Sequence, residues 1–190
     1  LAMRSLRAGD TLSLTYTRGA ESKKTSLTLA NLPSQRDLIV TQLMGREAPA
    51  AKLTKLKVHG QGSDSFSIAS LKGKPVVIDF WATWCPPCRK QMPAIEKIAT
   101  DASLSDKVAV LSINTDEIEP ARRGKVRSYL NKYKYTMPTL LDDGRASRAY
   151  HVFSIPTLVV IDKKGNVHSL KHGVHSEDEL REIIDEASQL

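Results

Sequence analysis

Along this chain the apolar positions change their period several times, and each change marks an element. In the first thirty residues Leu12, Leu14 and Tyr16 alternate with polar neighbours, as do Leu27 and Leu29, on either side of the turn-rich "RGAESKK". Alternation at period two predicts strands, here the two arms of a hairpin. A lone hairpin is marginal in water and needs a surface to pack on. Residues 33–55 read as a connector. A short helix is expected over "PSQRDLIVTQLMG", ended by Gly45, and then "REAPAAKL" runs extended through Pro49. "KLKV" and "FSI" predict a second small hairpin around the Gly-rich "HGQGSDS".

Beyond this point strands and helices alternate. "PVVIDF" (75–80) is a continuous apolar run, as a strand covered on both faces requires. "CRKQMPAIEKIA" places Met92, Ile95, Ile98 and Ala99 on one helical face, with Pro93 expected to kink the helix. "KVAVLSIN" (107–114) is a second buried strand. In "ARRGKVRSYLNKYK" (121–134) Val126, Tyr129, Leu130 and Tyr133 fall at i, i+3, i+4 and i+7, giving an amphipathic helix with a basic outer face. "MPTLLD" is a short strand, "RASRAYHV" a short helical stretch, "PTLVVID" (156–162) a third strand, and "NVHSLKHG" a strand of alternating character. Ser176 and Glu179 form a capping box ahead of Leu180, Ile183, Ile184 and Ala187, a last helix. The whole predicts an α/β fold, a central sheet flanked by helices.

Composition adds bounds. The 190 residues are 41% hydrophobic and 26% charged, a globular balance that suits one domain with an attachment. No apolar run approaches the ~20 residues of a membrane span. The net charge of +7 mixes both signs along most of the chain. The basic helix therefore reads as a solvated face, and no nucleic-acid module surrounds it. "LAMRSLRAGD" lacks the apolar stretch of a signal peptide, so the compartment is not read directly from these residues, and removal of an upstream signal or anchor stays open.

The candidate chemistry sits at Cys85 and Cys88, the only two cysteines, inside "IDFWATWCPPC". A Cys-x-x-Cys at a strand-to-helix junction puts the first sulfur beside unsatisfied N–H groups and the positive end of the helix dipole. Both favour the thiolate, so Cys85 is the expected nucleophile and the more sheltered Cys88 the resolving thiol. Pro86 and Pro87 fit the first helical positions and stiffen the turn. A zinc site would need four ligands; His59, His151, His168, His172 and His175 are scattered, and the last two are expected to face solvent. No metal and no cofactor are expected. A purely structural disulfide over so short a loop would constrain little entropy. Asp79 interrupts a buried strand, where a carboxylate is costly and its pKa rises. That suits a proton acceptor for Cys88; the bland alternative is an acid reaching solvent, Lys74 or Lys57. Trp81 is expected in the core, and Trp84 on an apolar rim for a protein substrate.

These residues resemble the thioredoxin superfamily. "VVIDFWATWCPPC" is similar to its strand, buried acid and dithiol; Pro93 matches its kink proline; "SIPT" (154–157) resembles its cis-proline loop; "HGVHSEDELREII" resembles its last strand and helix. "GREAPAAKL", "LKGKPVVIDFWATWCPPC" and the helix and strand after "SINTD" point to the TlpA/ResA-like branch, over residues 43–190. Ile155 before Pro156 departs from that branch and leaves redox direction open. The resemblance implies a thioredoxin fold with an inserted helix and strand. It implies that Cys85 attacks, Cys88 resolves and Asp79 moves a proton, while Trp84, Pro86, Pro87, Ile155 and Pro156 meet the substrate. It also implies an extracytoplasmic setting, periplasmic or membrane-anchored. "LRAGDTLSLTYTRGAESKKTSLTLANLP" resembles the C-terminal portion of a PDZ domain; an ordinary hairpin extension is the alternative. The expected organisation is a partial PDZ-like arm (1–32), a linker (33–42) and a thioredoxin-like domain (43–190), as a piece of a longer protein.

The expected function is a thiol-disulfide oxidoreductase that reduces extracytoplasmic protein disulfides, as in cytochrome c maturation. Its partners would be protein disulfides and a membrane or thioredoxin-type electron donor, with self-association possible through the arm and no nucleic acid. The alternatives are a disulfide oxidase or isomerase, or a PDZ-type binding module with a secondary redox role. A peroxidase would want a lone reactive cysteine, which "WCPPC" does not offer.

Overall fold

A strand made of Val76–Trp81 has every residue buried, and the rest of the larger unit is arranged around it. A computed structural model describes residues 7–31, 38, 40–56 and 63–189. The expected pair of Asp79 with Lys57, His59, the tip of the second hairpin and the start of the connector helix lie outside these residues. The chain divides into two units, residues 1–38 and 39–190.

The first unit is a hairpin of β1 (Thr11–Arg18) and β2 (Glu21–Thr28), paired antiparallel from Thr11–Thr28 to Arg18–Glu21. Its turn is tighter than expected. "ESKK" belongs to β2, and only Gly19 and Ala20 turn, with Gly19 at φ +66°. A two-residue hairpin loop asks for a positive φ, which glycine adopts without a Cβ clash. Leu14, Tyr16 and Leu27 are exposed.

The second unit holds a seven-stranded mixed sheet in the order β4-β3-β7-β6-β5-β8-β9. Its strands are β3 (Lys52–Leu56), β4 (Ser63–Ser67), β5 (Val76–Trp81), β6 (Ala109–Asn114), β7 (Thr139–Leu141), β8 (Thr157–Ile161) and β9 (Val167–His172). β5, β6 and β7 run parallel, as crossovers through helices require, and β8, β9, β3 and β4 complete the edges antiparallel. The helices that flank the sheet among the described residues include α1 (Pro86–Thr100), α2 (Arg122–Tyr133), α3 (Arg145–Ala149) and α4 (Glu177–Gln189).

The period of two in β5 sorts its side chains. Val77 and Trp81 join a cluster with Met92, Ile95 and Ile98 of α1, Val126 and Leu130 of α2, and Leu180, Ile183 and Ile184 of α4. Val76, Ile78 and Phe80 join the opposite cluster with Leu111, Val159, Ala146 and Tyr150. Each fully buried Ile, Leu or Met contributes about 1.5–3 kcal/mol. Asp79 alternates with the first set, so it faces the α1 side. At the start of α4 the capping box forms: Ser176 N–H donates to Glu179 (2.7 Å) and Glu179 N–H to the Ser176 hydroxyl (3.3 Å).

Two features differ from the expected pattern. The lead-in after Gly45 is more than an extended connector. Gly45 N–H donates to Val167 O, Val167 N–H to Arg46 O, and Ala48 N–H to Gly165 O, all at 2.8 Å, so this segment borders β9. The basic helix α2 is not basic on its outer face alone, since Arg122 is buried, while Tyr133 of its apolar stripe is exposed.

Candidate active site

The turn from β5 into α1 carries both cysteines. Cys85 is the N-cap of α1, in extended conformation, and Pro86 and Pro87 take the first helical positions where no N–H is needed. The backbone N–H of Cys88 donates to Sγ of Cys85 at 3.2 Å, so the first sulfur receives one of the helix's unsatisfied donors. The two residues are joined by a disulfide, S–S 2.03 Å. Cys88 is fully buried and Cys85 keeps 2% exposure, with Trp84 (58%), Pro86 and Pro87 exposed around it. Trp81 is buried, its indole N–H donating to Ser112 Oγ.

Asp79 is fully buried and pairs with neither Lys74 nor bulk solvent. Its Oδ1 accepts from Gln91 Nε2 at 2.7 Å, and its Oδ2 has no partner among the described residues. Burial pushes the carboxyl up to about 7, with the Gln91 hydrogen bond pulling the other way. Gln91 is itself fully buried, and its Oε1 accepts the His175 backbone N–H at 2.9 Å. This corrects the expectation that His175 faces solvent. Its side chain keeps 13% exposure, and its Nε2 is buried without a partner among the described residues. Burial holds its pKa below the ordinary histidine value, and Lys171 adds to this against the pull of Glu179. His172 is exposed at the end of β9 but engaged, its Nδ1 2.8 Å from Thr157 Oγ1.

The residue two before Cys85 is held on every polar atom. Asp116, in the loop after β6, accepts from Thr83 N–H at 2.8 Å and from Thr83 Oγ–H at 2.6 Å. Arg89 of α1 donates to Thr83 O at 3.1 Å. Next to this clamp, Thr115 N–H donates to Trp81 O at 2.8 Å, and Asp116 N–H to Asn114 Oδ1 at 3.2 Å.

The Ile155–Pro156 peptide is cis. Sγ of Cys85 lies 3.7 Å from the Ile155 carbonyl oxygen, which brings this loop against the dithiol. Ile155 is half-buried and Pro156 buried, and the Pro156 carbonyl is already taken by Gly173 N–H at 3.0 Å. The predicted Cys85, Cys88, Trp84, Pro86, Pro87, Ile155 and Pro156 therefore form one locus. Gln91, Thr83 and Asp116 were not foreseen. Gln91 was within reach of the pattern, because Cys88, Gln91, Ile95 and Ile98 share one buried stripe and a polar residue there needs a partner. Asp116 carries no such periodic signal.

Comparison with known proteins agrees with this geometry. Residues 44–170 match the family model described as the AhpC/TSA family. The thioredoxin-like protein YneN of Bacillus subtilis is 34% identical over 141 residues, 74% of this chain and 78% of that protein. Sporulation thiol-disulfide oxidoreductase A of Bacillus subtilis is 32% identical over 116 residues, 60% of this chain and 69% of that protein. Among solved structures, the exposed lipoprotein thioredoxin of Streptococcus pneumoniae strain TIGR4 superposes with a TM-score of 0.61 at 26% identity, over 72% of this chain and 99% of that one. A thioredoxin fold, a Cys-x-x-Cys pair at a helix N-cap and these relatives converge: the chain belongs to the AhpC/TSA family, as a thiol-disulfide oxidoreductase of thioredoxin-like fold.

Proposed function

We propose that this protein reduces protein disulfides outside the cytoplasm, in the manner of cytochrome c maturation. The observation that carries the reading is an N-capping Cys85 in the turn from β5 together with a buried carboxyl on that strand, Asp79, pushed up to about 7 by burial. The Cys85 thiolate attacks one sulfur of the substrate disulfide, whose other sulfur leaves as a thiolate and takes a proton from water. Asp79 accepts the proton of Cys88. The Cys88 thiolate then attacks Cys85 Sγ and expels the second substrate thiol. Two electrons have passed to the substrate, and the enzyme is left as the disulfide. A membrane or thioredoxin-type donor returns the electrons. Trp84, Pro86 and Pro87 form the rim, and Ile155 and Pro156 the wall, against which the substrate lies.

The extracytoplasmic setting is supported by likeness to an exposed lipoprotein thioredoxin; no helix of the described residues is long and apolar enough to cross a membrane. The PDZ-like arm is proposed to serve association, including with a second copy of the chain. The direction of electron flow is tested by the equilibrium potential of the Cys85–Cys88 pair against glutathione or dithiothreitol with thiol trapping. A reductant gives about −250 mV or lower; a value of about −120 to −180 mV sinks this reading in favour of an oxidase or isomerase.

A further inference from the structure

We infer that Asp116 is a positioning residue for the dithiol turn. Its buried carboxylate clamps Thr83, seats Cys85 at the start of α1, and holds there a negative charge that makes Cys85 less acidic than the helix N-terminus alone would. Both oxygens of Asp116 are spent on Thr83, at 2.8 and 2.6 Å, and the side chain is 1% exposed. A carboxylate so enclosed is costly unless it is well paired. Its one ion-pair partner among the described residues is Lys125 of α2, at 3.7 Å and 46% exposed, and the buried Arg122 of α2 also attracts it, though that guanidinium gives its hydrogen bonds to Asn114 and Asp142. Thr83 and Cys85 are two residues apart, at most about 7.6 Å between Cα atoms. The carboxylate bonded to Thr83 therefore stands on the order of 10 Å from the Cys85 sulfur, and at an effective dielectric of about 20 a unit charge there moves a thiol pKa by about one unit, or about tenfold in acidity.

The other charged or titratable groups of the site are Arg89 on α1, which donates to Thr83 O, Asp79 on β5, Arg122 on α2, and His172 and His175 beyond β8. None of them bonds both the N–H and the hydroxyl of the turn, as Asp116 does. A charge that resists thiolate formation stabilises the disulfide relative to the reduced form, and so biases the pair toward giving up electrons.

The inference rests on Cys85 being the attacking thiol, and the experiment separates the two. Full-length Cys88→Ser protein is alkylated with iodoacetamide over a pH series at low ionic strength, alone and combined with Asp116→Asn, Thr83→Ala or Lys125→Met. Asp116→Asn is expected to lower the Cys85 midpoint by about one pH unit, and Lys125→Met to raise it. Thr83→Ala removes the hydroxyl bond but keeps the charge and the N–H bond, and moves the midpoint by less than Asp116→Asn does. In the two-cysteine protein Asp116→Asn raises the potential by about 30 mV, the equivalent of that tenfold change. A midpoint that stays put or rises with Asp116→Asn overturns the inference, as does Thr83→Ala moving it as far as Asp116→Asn. If Asp116→Asn does not fold, Lys125→Met decides: a raised midpoint supports the role and an unchanged one overturns it. If Cys88, alone in Cys85→Ser protein, is alkylated faster than Cys85 is in Cys88→Ser protein, it is the attacking role that fails.

Discussion

Asp79 is an acid placed where an acid is costly, and that cost is readable as pH dependence. Its carboxyl stands at about 7 in the folded protein against 3.8 in an exposed chain. A raised folded pKa gives stability that is whole below the unfolded value and declines as pH climbs from about 4 to about 7. The shift corresponds to about 4 kcal/mol, an order-of-magnitude figure. Asp79→Asn is therefore expected to raise Tm by several degrees at pH 8 and to change it little at pH 4, in thermal melts at the two values. The same variant should lose the inflection near pH 7 in release of substrate from the Cys85 mixed disulfide, since Cys88 then has no acceptor for its proton. A wild-type profile without that inflection would remove Asp79 from the mechanism. Gln91 supplies the one hydrogen bond that lowers this pKa. Gln91→Leu should thus move the inflection to higher pH, by about one to two units if the bond is worth a typical 1.5–3 kcal/mol to the charged form. An inflection that moves to lower pH would mean that Gln91 does not bond the ionised form.

Among the elements, those with one strong period were legible. β5 is an apolar run broken only by Asp79, α4 announces itself with Ser176 and Glu179, and the Cys-x-x-Cys marks the start of α1. What escaped depended on partners distant in sequence. The Gly45–Ala48 stretch pairs with β9 through isolated backbone bonds, which leave no trace in side-chain periodicity. Arg122 read as one more surface cation, yet it donates to Asn114 Oδ1 and to the carbonyls of Asn114 and Asp142, tying α2 to the ends of β6 and β7. Removing it leaves the buried Asp142 carbonyl without its donor and takes one of two donors from each Asn114 oxygen, and a stripped acceptor costs about 1–3 kcal/mol. Arg122→Met is expected to cost about 3 kcal/mol and lower Tm by about 6–12 °C. Arg122→Lys recovers only part of this, because one ammonium lacks the planar fork. A melt within 2 °C of wild type for Arg122→Met, on the order of the error in such scans, would show the network to be incidental.

At the scale of the whole molecule, the buried hydrophobic core runs from Ala51 to Ala187, and the dithiol, Asp79, Gln91 and Asp116 all lie inside the same span. The second unit therefore contains the chemistry and its support. In the hairpin unit the register sets Leu12 opposite Leu27 and places Leu14 and Tyr16 on the same face, a side that would be buried in an ordinary half-covered sheet. Among the described residues the two strands also leave two edges without a strand partner, and such edges can recruit further strands. The two units should thus separate by experiment. A chain of residues 39–190 is expected to fold, to keep its Tm within about 3 °C, and to reduce a model protein disulfide at the rate of the full chain. In sedimentation equilibrium the full chain is expected to have more than its monomer mass and the truncated chain its own monomer mass, with Leu14→Glu and Tyr16→Glu together returning the full chain to the monomer. A full chain at its monomer mass would dismiss the arm as an association element. A truncated chain that melts more than 10 °C lower, far beyond what a surface segment contributes, would show that the arm supports the catalytic unit.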